Sequence, residues 1–336
     1  MSRLRPGVAS PGAELAVAGA VAGAVADPLA AVDIVGLRTA VLDWYASQGR
    51  RLPFRGTTDP YLVLVSETIL QQTQVSRGGP AWQAFVARFP TVEALAAASP
   101  ADVLRAWRGL GYNRRAINLQ RTARIVVEDL GGRFPAAVAE LERLPGVGPY
   151  TARAVAAIAH GRPVGAVDTN VRRVIGRVVA GDRAALAPRE VQAIADRLAA
   201  IDRPADWTHA LMDLGSTVCL PRTPRCSACP IQAHCRYGRA AERGPMGEPT
   251  PRQAARPRAT GERPLPFERS SRWLRGRILD RLREVEGSGW ATFDGPLGSH
   301  DRSAVLATVR ILAREGLAEL DRDAAPAPLR ARLPLA

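Results

Sequence analysis

The stretch Leu144-Pro145-Gly146-Val147-Gly148-Pro149-Tyr150-Thr151-Ala152 restricts what this chain can fold into more than any other. It joins two helical patterns through a turn in which Gly146 and Gly148 give backbone freedom, and Pro149 suits the first position of the next helix. The amides at that helix's N-terminus have no intrahelical acceptor. Together with the helix dipole they make a place for a phosphate, gripped by Gly146, Val147 and Gly148. The alanine-rich helix closes near Gly161 and leads into Val167-Asp168-Thr169-Asn170-Val171-Arg172-Arg173. A carboxylate thus arrives beside an anion-gripping hairpin, just ahead of an arginine-rich helix.

Charge supports a polyanionic partner. The formal net charge is +14, and all 46 basic residues are arginine, a bias to which a GC-rich coding background contributes. A strongly basic domain usually meets nucleic acid. The absence of lysine excludes one kind of chemistry: apart from its N-terminus, the chain has no amine for a Schiff base.

Periodicity points to an all-α domain. Ile34, Leu37, Ala40, Val41 and Trp44 recur at helical spacing, and Asp59-Pro60 starts a second helix through Leu70. Further helix starts stand at Thr91, at Ser99-Pro100-Ala101-Asp102 and after Gly111. The chain divides into an N-terminal extension at 1–31, a helical domain at 32–238, a proline-rich linker at 239–266 and a small helical or winged-helix-like module at 267–336. In that module Leu274, Ile278, Leu279 and Leu282 mark one helix and Val305, Val309 and Leu312 another, followed by strand-like Leu317 to Leu320. The apolar run at 15–31 is alanine and glycine with little leucine, too weak for a signal sequence, and nothing later reaches membrane-spanning length. A cytoplasmic monomer, nucleoid-associated in a bacterium, is the expectation.

The cysteines fall together as Cys219-x6-Cys226-x2-Cys229-x5-Cys235. One compact group in a long chain suggests a metal in a reducing compartment, and four thiolates suit either zinc or an iron-sulfur cluster. A single Cys-x-x-Cys knuckle with wider arms tilts the balance mildly toward the cluster. Arg222, Arg225 and Arg236 lie among the ligands, able to offset charge and touch phosphate.

Two carboxylates carry the remaining chemistry. Glu67 lies in Ser66-Glu67-Thr68-Ile69-Leu70-Gln71-Gln72-Thr73-Gln74, where apolar neighbours would bury it, raise its pKa and make it a general acid. A solvated helix face is the plain alternative. The glutamines after it read as a polar helix end suited to base edges or to a gap in a duplex. Asp168 also fits the N-cap of the helix beginning near Asn170, a role compatible with catalysis. One acid that donates a proton and one kept ionised form the arrangement that breaks glycosidic bonds.

In order along 32–238, Leu52-Pro53-Phe54-Arg55, Ser66-Glu67 through Gln74-Val75, Gly109-Leu110-Gly111-Tyr112, the hairpin, Val167 to Val171, Met212-Asp213-Leu214-Gly215 and the four cysteines resemble the helix-hairpin-helix DNA glycosylase superfamily. They are most similar to its MutY-type adenine DNA glycosylase branch. The resemblance implies a [4Fe-4S] cluster on Cys219, Cys226, Cys229 and Cys235. It implies that Glu67 protonates N7 of a flipped adenine, and that Asp168 stabilises or traps the oxocarbenium ion, with Asn170 beside it. Tyr150 falls where lyase-competent relatives place a catalytic lysine, so a monofunctional glycosylase is implied. Gln72 and Tyr112 match positions that wedge into the duplex around the opposite guanine; Arg55 and Leu70 would line the adenine pocket. His209 stands where glutamine or glutamate helps hold the base.

Phe54, Asn113 and Thr169 also depart from the family's common residues, and residues 267–336 do not read as the β-rich Nudix-like domain that usually closes it. The resulting expectation is excision of adenine mispaired with guanine or 8-oxoguanine in double-stranded DNA. A thymine glycosylase acting on thymine-guanine mismatches and a noncatalytic DNA clamp are the rivals.

Overall fold

The computed structural model describes residues 27–181, 186–242, 266–321 and 328–335. The expected extension up to residue 26, and positions 243–265 of the expected linker, lie outside the described residues. Folded structure begins ahead of the anticipated boundary: Leu29 is buried in a core, and the Asp27 carboxylate pairs with Arg197 at 2.7 Å.

The chain opens with α1 (Ile34–Gln48), α2 (Pro60–Leu70), α3 (Val75–Arg88), α4 (Val92–Ala97), α5 (Pro100–Ala106), α6 (Arg114–Glu128) and α7 (Val138–Leu141). It continues through α8 (Pro149–Ile158), α9 (Thr169–Val179), α10 (Pro188–Leu198), α11 (Pro204–Thr217) and α12 (Arg236–Glu242). The starts follow from capping chemistry. Asp59 accepts from the Tyr61 amide at 2.8 Å, and Thr91 and Ser99 accept from the amides of Ala94 and Asp102.

One core gathers α2 to α8, including Val65, Ile69, Phe85, Trp107 and Val155. A second joins α1, α9, α10 and α11 with Cys235 of the cysteine loop. Met212 packs against both, so the two helical halves meet at α11. Helix α2 is buried nearly all round, and its polar residues Ser66 and Thr68 satisfy themselves on the carbonyls of Val63 and Leu64, both at 2.7 Å. Glu67 is its only carboxylate. Phe54 packs edge-on against Trp82, a core role for the departure noted at that position.

The glutamine run departs from the helical expectation. Helix α2 stops at Leu70, and Gln71, Gln72 and Thr73 form a turn before α3 in which Gln72 has φ of 56°. Arg115 explains the stop: its Nη1 donates to the carbonyls of Thr68 and Gln71 at 2.6 and 2.7 Å, taking the acceptors a further helical turn would use.

Beyond the linker come α13 (Ser271–Arg283), β1 (Ala291–Phe293), α14 (Arg302–Arg314), β2 (Glu319–Leu320) and β3 (Leu329–Arg332). The strands form an antiparallel sheet in the order β1-β3-β2, with Ala331 of the central strand opposite Ala291 on one side and Leu320 on the other. Two of these strands went unread in the sequence because each is too short to show alternation. The helices and sheet share one core with Ala101 and Leu104 of α5 and Ile117 of α6. The Ala101 amide donates to Pro334 O at 2.8 Å. The module therefore continues the hydrophobic packing of the helical domain.

Candidate active site

The facing helices of the two halves bring the sequence-predicted carboxylates together. Glu67 sits on α2 in the first core, and Tyr150 opens α8 against it. Burial pushes the Glu67 carboxyl up to about 7; a hydrogen bond from Tyr150 pulls against that rise, the nearby Asp168 charge adds to it, and Arg55 opposes it. Burial, with Glu67 beside it, lifts the Tyr150 hydroxyl well above its ordinary range, so this group stays protonated and donates.

Asp168 caps α9. Its Oδ1 accepts from the amides of Asn170 and Val171 at 2.8 and 2.7 Å, and its Oδ2 accepts from Asn170 Nδ2 at 2.9 Å. Three N–H donors on two oxygens is the pattern a carboxylate accepts. Arg173 braces Asn170 in turn, donating to Asn170 Oδ1 at 2.9 Å, to Gly215 O and to Cys219 O. Gly215 lets α11 approach this spot: a Cβ there would fall 2.6 Å from Asn170 Cβ and 3.1 Å from its backbone.

On the other side, Asp213 is fully buried and receives Arg55 bidentately, Nη1 on Oδ2 at 2.6 Å and Nη2 on Oδ1 at 2.7 Å. Arg50 adds a side-chain bond at 2.6 Å and a backbone bond at 2.9 Å. Burial would raise the Asp213 carboxyl; the bonds from Arg55 and Arg50 outweigh it and hold the group below its ordinary value. Both Nη groups of Arg55 are engaged, and its buried Nε has no hydrogen-bond partner. His209, also buried, is pushed down to about 4 by that burial and by the Arg55 charge. It is a neutral imidazole near pH 7, and so both donor and acceptor. Sequence reasoning gave Asp213 and Arg50 no role; the Met-Asp-Leu-Gly stretch was the available signal.

Leu70 fits over Gly78, where a Cβ would stand 2.6 Å from Leu70 Cδ2. Gln72 and Tyr112 are the non-glycine residues with positive φ among the described residues. Tyr112 stands in the loop before α6, 46% exposed, with the guanidiniums of Arg115 and Arg272 over its ring at 5.6 and 4.6 Å. Arg115 Nη2 also donates to the carbonyls of Leu110 and Gly111, so one side chain stitches the Gln72 turn to the Tyr112 loop. In the hairpin, Gly146 has φ of 79° and a Cβ there would meet Asn118 at 2.9 Å, so glycine is required twice over. Val147 is buried, while Gly148 precedes α8 with no side-chain cap, leaving that helix's first amides available.

The four cysteines line one cavity, walled by Val174, Val178, Leu214 and Ile231, with Arg177 and Arg225 at its edge. Arg177 Nη1 donates to Cys219 Sγ at 3.3 Å and the Gly238 amide to Cys235 Sγ at 3.4 Å. Burial pushes the Cys229 thiol up to about 12, so thiolate formation there needs a bound cation. The donor set of four sulfurs with N–H and guanidinium groups directed at them fits a negatively charged iron-sulfur group. Among the described residues no group of three or more His, Cys, Asp or Glu side chains is arranged to hold a metal ion. None of their helices is long and apolar enough to cross a membrane.

Residues 65–200 match the family described as HhH-GPD superfamily base excision DNA repair protein. The chain is 43% identical over 249 residues to the adenine DNA glycosylase of Mycolicibacterium smegmatis, an alignment covering 73% of this chain and 79% of that protein. It is 41% identical over 216 residues to the human adenine DNA glycosylase, covering 61% of this chain and 40% of the relative. Among solved structures it is similar to a thermostable thymine-DNA glycosylase, with a TM-score of 0.57 at 28% identity, covering 62% of this chain and 97% of that one. An endonuclease III–DNA complex shares the fold, with a TM-score of 0.53 at 23% identity over 63% of this chain and 97% of its own.

Proposed function

The chain belongs to the adenine DNA glycosylase family of helix-hairpin-helix base excision repair proteins, and we propose that it hydrolyses the N-glycosidic bond of adenine mispaired with guanine or 8-oxoguanine. The observation that carries this reading is Glu67, a buried carboxyl raised to about 7 beside the three-donor Asp168. A group with that pKa can hold a proton at neutral pH and deliver it. Adenine accepts it at N7, and once N7 is protonated the base leaves more readily; pyrimidines have no N7. Asp168 then faces the oxocarbenium ion as an anion or forms a covalent bond with it until water attacks. Tyr150 cannot form a Schiff base and no lysine exists to do so, so the product is an abasic site with an intact strand.

His209, Leu70 and Arg55 Nε are assigned to the base, and Gln72 and Tyr112 to the gap it leaves. The hairpin amides at Gly146, Val147 and Gly148 are assigned to a phosphate of double-stranded DNA. Cys219, Cys226, Cys229 and Cys235 would hold a [4Fe-4S] cluster, which when bound would fasten the loop and keep Arg222 and Arg225 against the backbone. A monomer suffices for this assembly, since every assigned residue comes from one chain.

Duplexes carrying adenine opposite guanine, 8-oxoguanine, cytosine or thymine, and thymine opposite guanine, followed by alkali, test the reading. Strand breaks only after alkali, and only where adenine is mispaired, are expected. Release of thymine alone would overturn it in favour of the rival glycosylase.

A further inference from the structure

We propose that Arg272, on the first turn of α13, is a positioning residue for Tyr112, through which the C-terminal module sets how the protein engages the strand opposite the excised base. This rests on the assignment of Tyr112 to the gap around that base. Tyr112 is held in a left-handed conformation, with φ of 46°, and presents an exposed ring. The backbone there is costly for a tyrosine and has to be supported from outside its own loop. Arg115 supplies one cation over the ring from the helical domain, and Arg272 supplies the nearer one, at 4.6 Å, from the module. Arg272 is exposed and makes no ion pair among the described residues, so the ring is what it packs on.

The module is anchored at the neighbouring residue. Arg283, its side chain 5% exposed, donates from Nη2 to Asn113 Oδ1 at 2.6 Å and from Nε to Leu104 O at 3.0 Å. Arg105 returns a bond to Val285 O at 3.0 Å. With Ala101, Leu104 and Ile117 inside the module's core, α13 cannot shift without disturbing the loop that carries Tyr112. A general basic grip on the backbone would leave its arginines facing solvent phosphates, whereas this one covers an aromatic side chain.

The test is a double-mutant cycle in the full chain. Single-turnover excision and affinity for a duplex with a non-cleavable abasic analogue are measured opposite guanine, 8-oxoguanine and cytosine for the wild type, R272A, R272K, Y112A and R272A/Y112A. R272A should melt with the wild type yet lose about two- to five-fold in affinity or in discrimination between opposite bases, the scale of an exposed cation–π contact. R272K should retain most of the effect, and R272A should cost nothing further once Tyr112 is gone. An equal loss in both backgrounds would show that Arg272 acts on DNA directly and overturn the proposal, as would no loss in either. If the wild type excises no adenine, the functional reading fails, but the affinity arm still reports the coupling.

Discussion

Replacing Glu67 by glutamine separates what this residue does for chemistry from what it costs the fold. The carboxyl stands at about 7 in the folded protein against an ordinary 4.5, because burial disfavours its ionised form. Each unit of difference is worth about 1.4 kcal/mol, so the native state loses about 3 kcal/mol of stability as pH rises between those values, and the loss persists above 7. The sign follows from proton counts: in that window the unfolded chain has released a proton that the folded chain still holds, so raising pH favours unfolding. Glutamine removes the titration, so the melting temperature of Glu67→Gln should depend less on pH than that of the wild type. About 2.5 kcal/mol of that loss falls between pH 5 and pH 8, so at about 2–4 °C per kcal/mol for a domain of this size the gap between those pH values should narrow by roughly 5–10 °C. The assay is thermal unfolding of both proteins across pH 5–8, alongside single-turnover adenine release. Release should be abolished in the variant while duplex binding persists, and in the wild type kcat/KM should fall above about pH 7 as the acid loses its proton. Parallel melting curves for the two proteins would refute the burial argument, and retained excision would refute the assignment of Glu67 as the acid.

Three further perturbations probe the supports of the site. Gly215→Ala places a methyl group 2.6 Å from Asn170 Cβ, which cannot swing away, so a loss of about 1–3 kcal/mol in thermal unfolding is expected, together with slower excision as Asp168 and Asn170 shift. Asp213→Asn leaves the buried Arg55 without its charge partner; with Arg50 partly exposed and better solvated, a loss of about 3 kcal/mol is expected in denaturant unfolding. The purified protein should be brown and contain iron, and Cys229→Ser should bleach it, as absorption and metal analysis would show; a colourless protein containing zinc would reject the cluster.

What the sequence disclosed depended on whether a residue's role was local. Asp59, Thr91, Ser99 and Asp168 cap helices two or three residues away, and that chemistry is readable from spacing alone. The hairpin was legible because Gly146 answers to a positive φ as well as to a neighbour. The supports of the site were not, because they act across the chain. Asp213 is paired with arginines 158 and 163 positions away, and Arg115 ends α2 from 44 positions downstream. Nothing near Gln71 announces that its carbonyl is taken, so the glutamine run looked like a helix end and is a turn. The module's union with α5 and α6 was hidden for the same reason: Ile278 and Leu282 show a helix with an apolar face, but not which surface covers it.

The tyrosine at position 150 connects the two ways of reading this site. Burial is the largest influence on the Glu67 carboxyl and raises it, and the Tyr150 hydroxyl acts against that rise. An ammonium in the same place would act far more strongly, drawing Glu67 down toward the ordinary carboxylate range and stripping it of its proton. A buried acid that must be protonated near pH 7 and a Schiff-base lysine are therefore poor neighbours on electrostatic grounds. A neutral hydroxyl, kept protonated by its own burial, is compatible with the acid. Under the proposed assignment of Glu67 as the acid, a tyrosine rather than a lysine at position 150 would do more than remove a lyase step: it would leave Glu67 the proton that assignment requires.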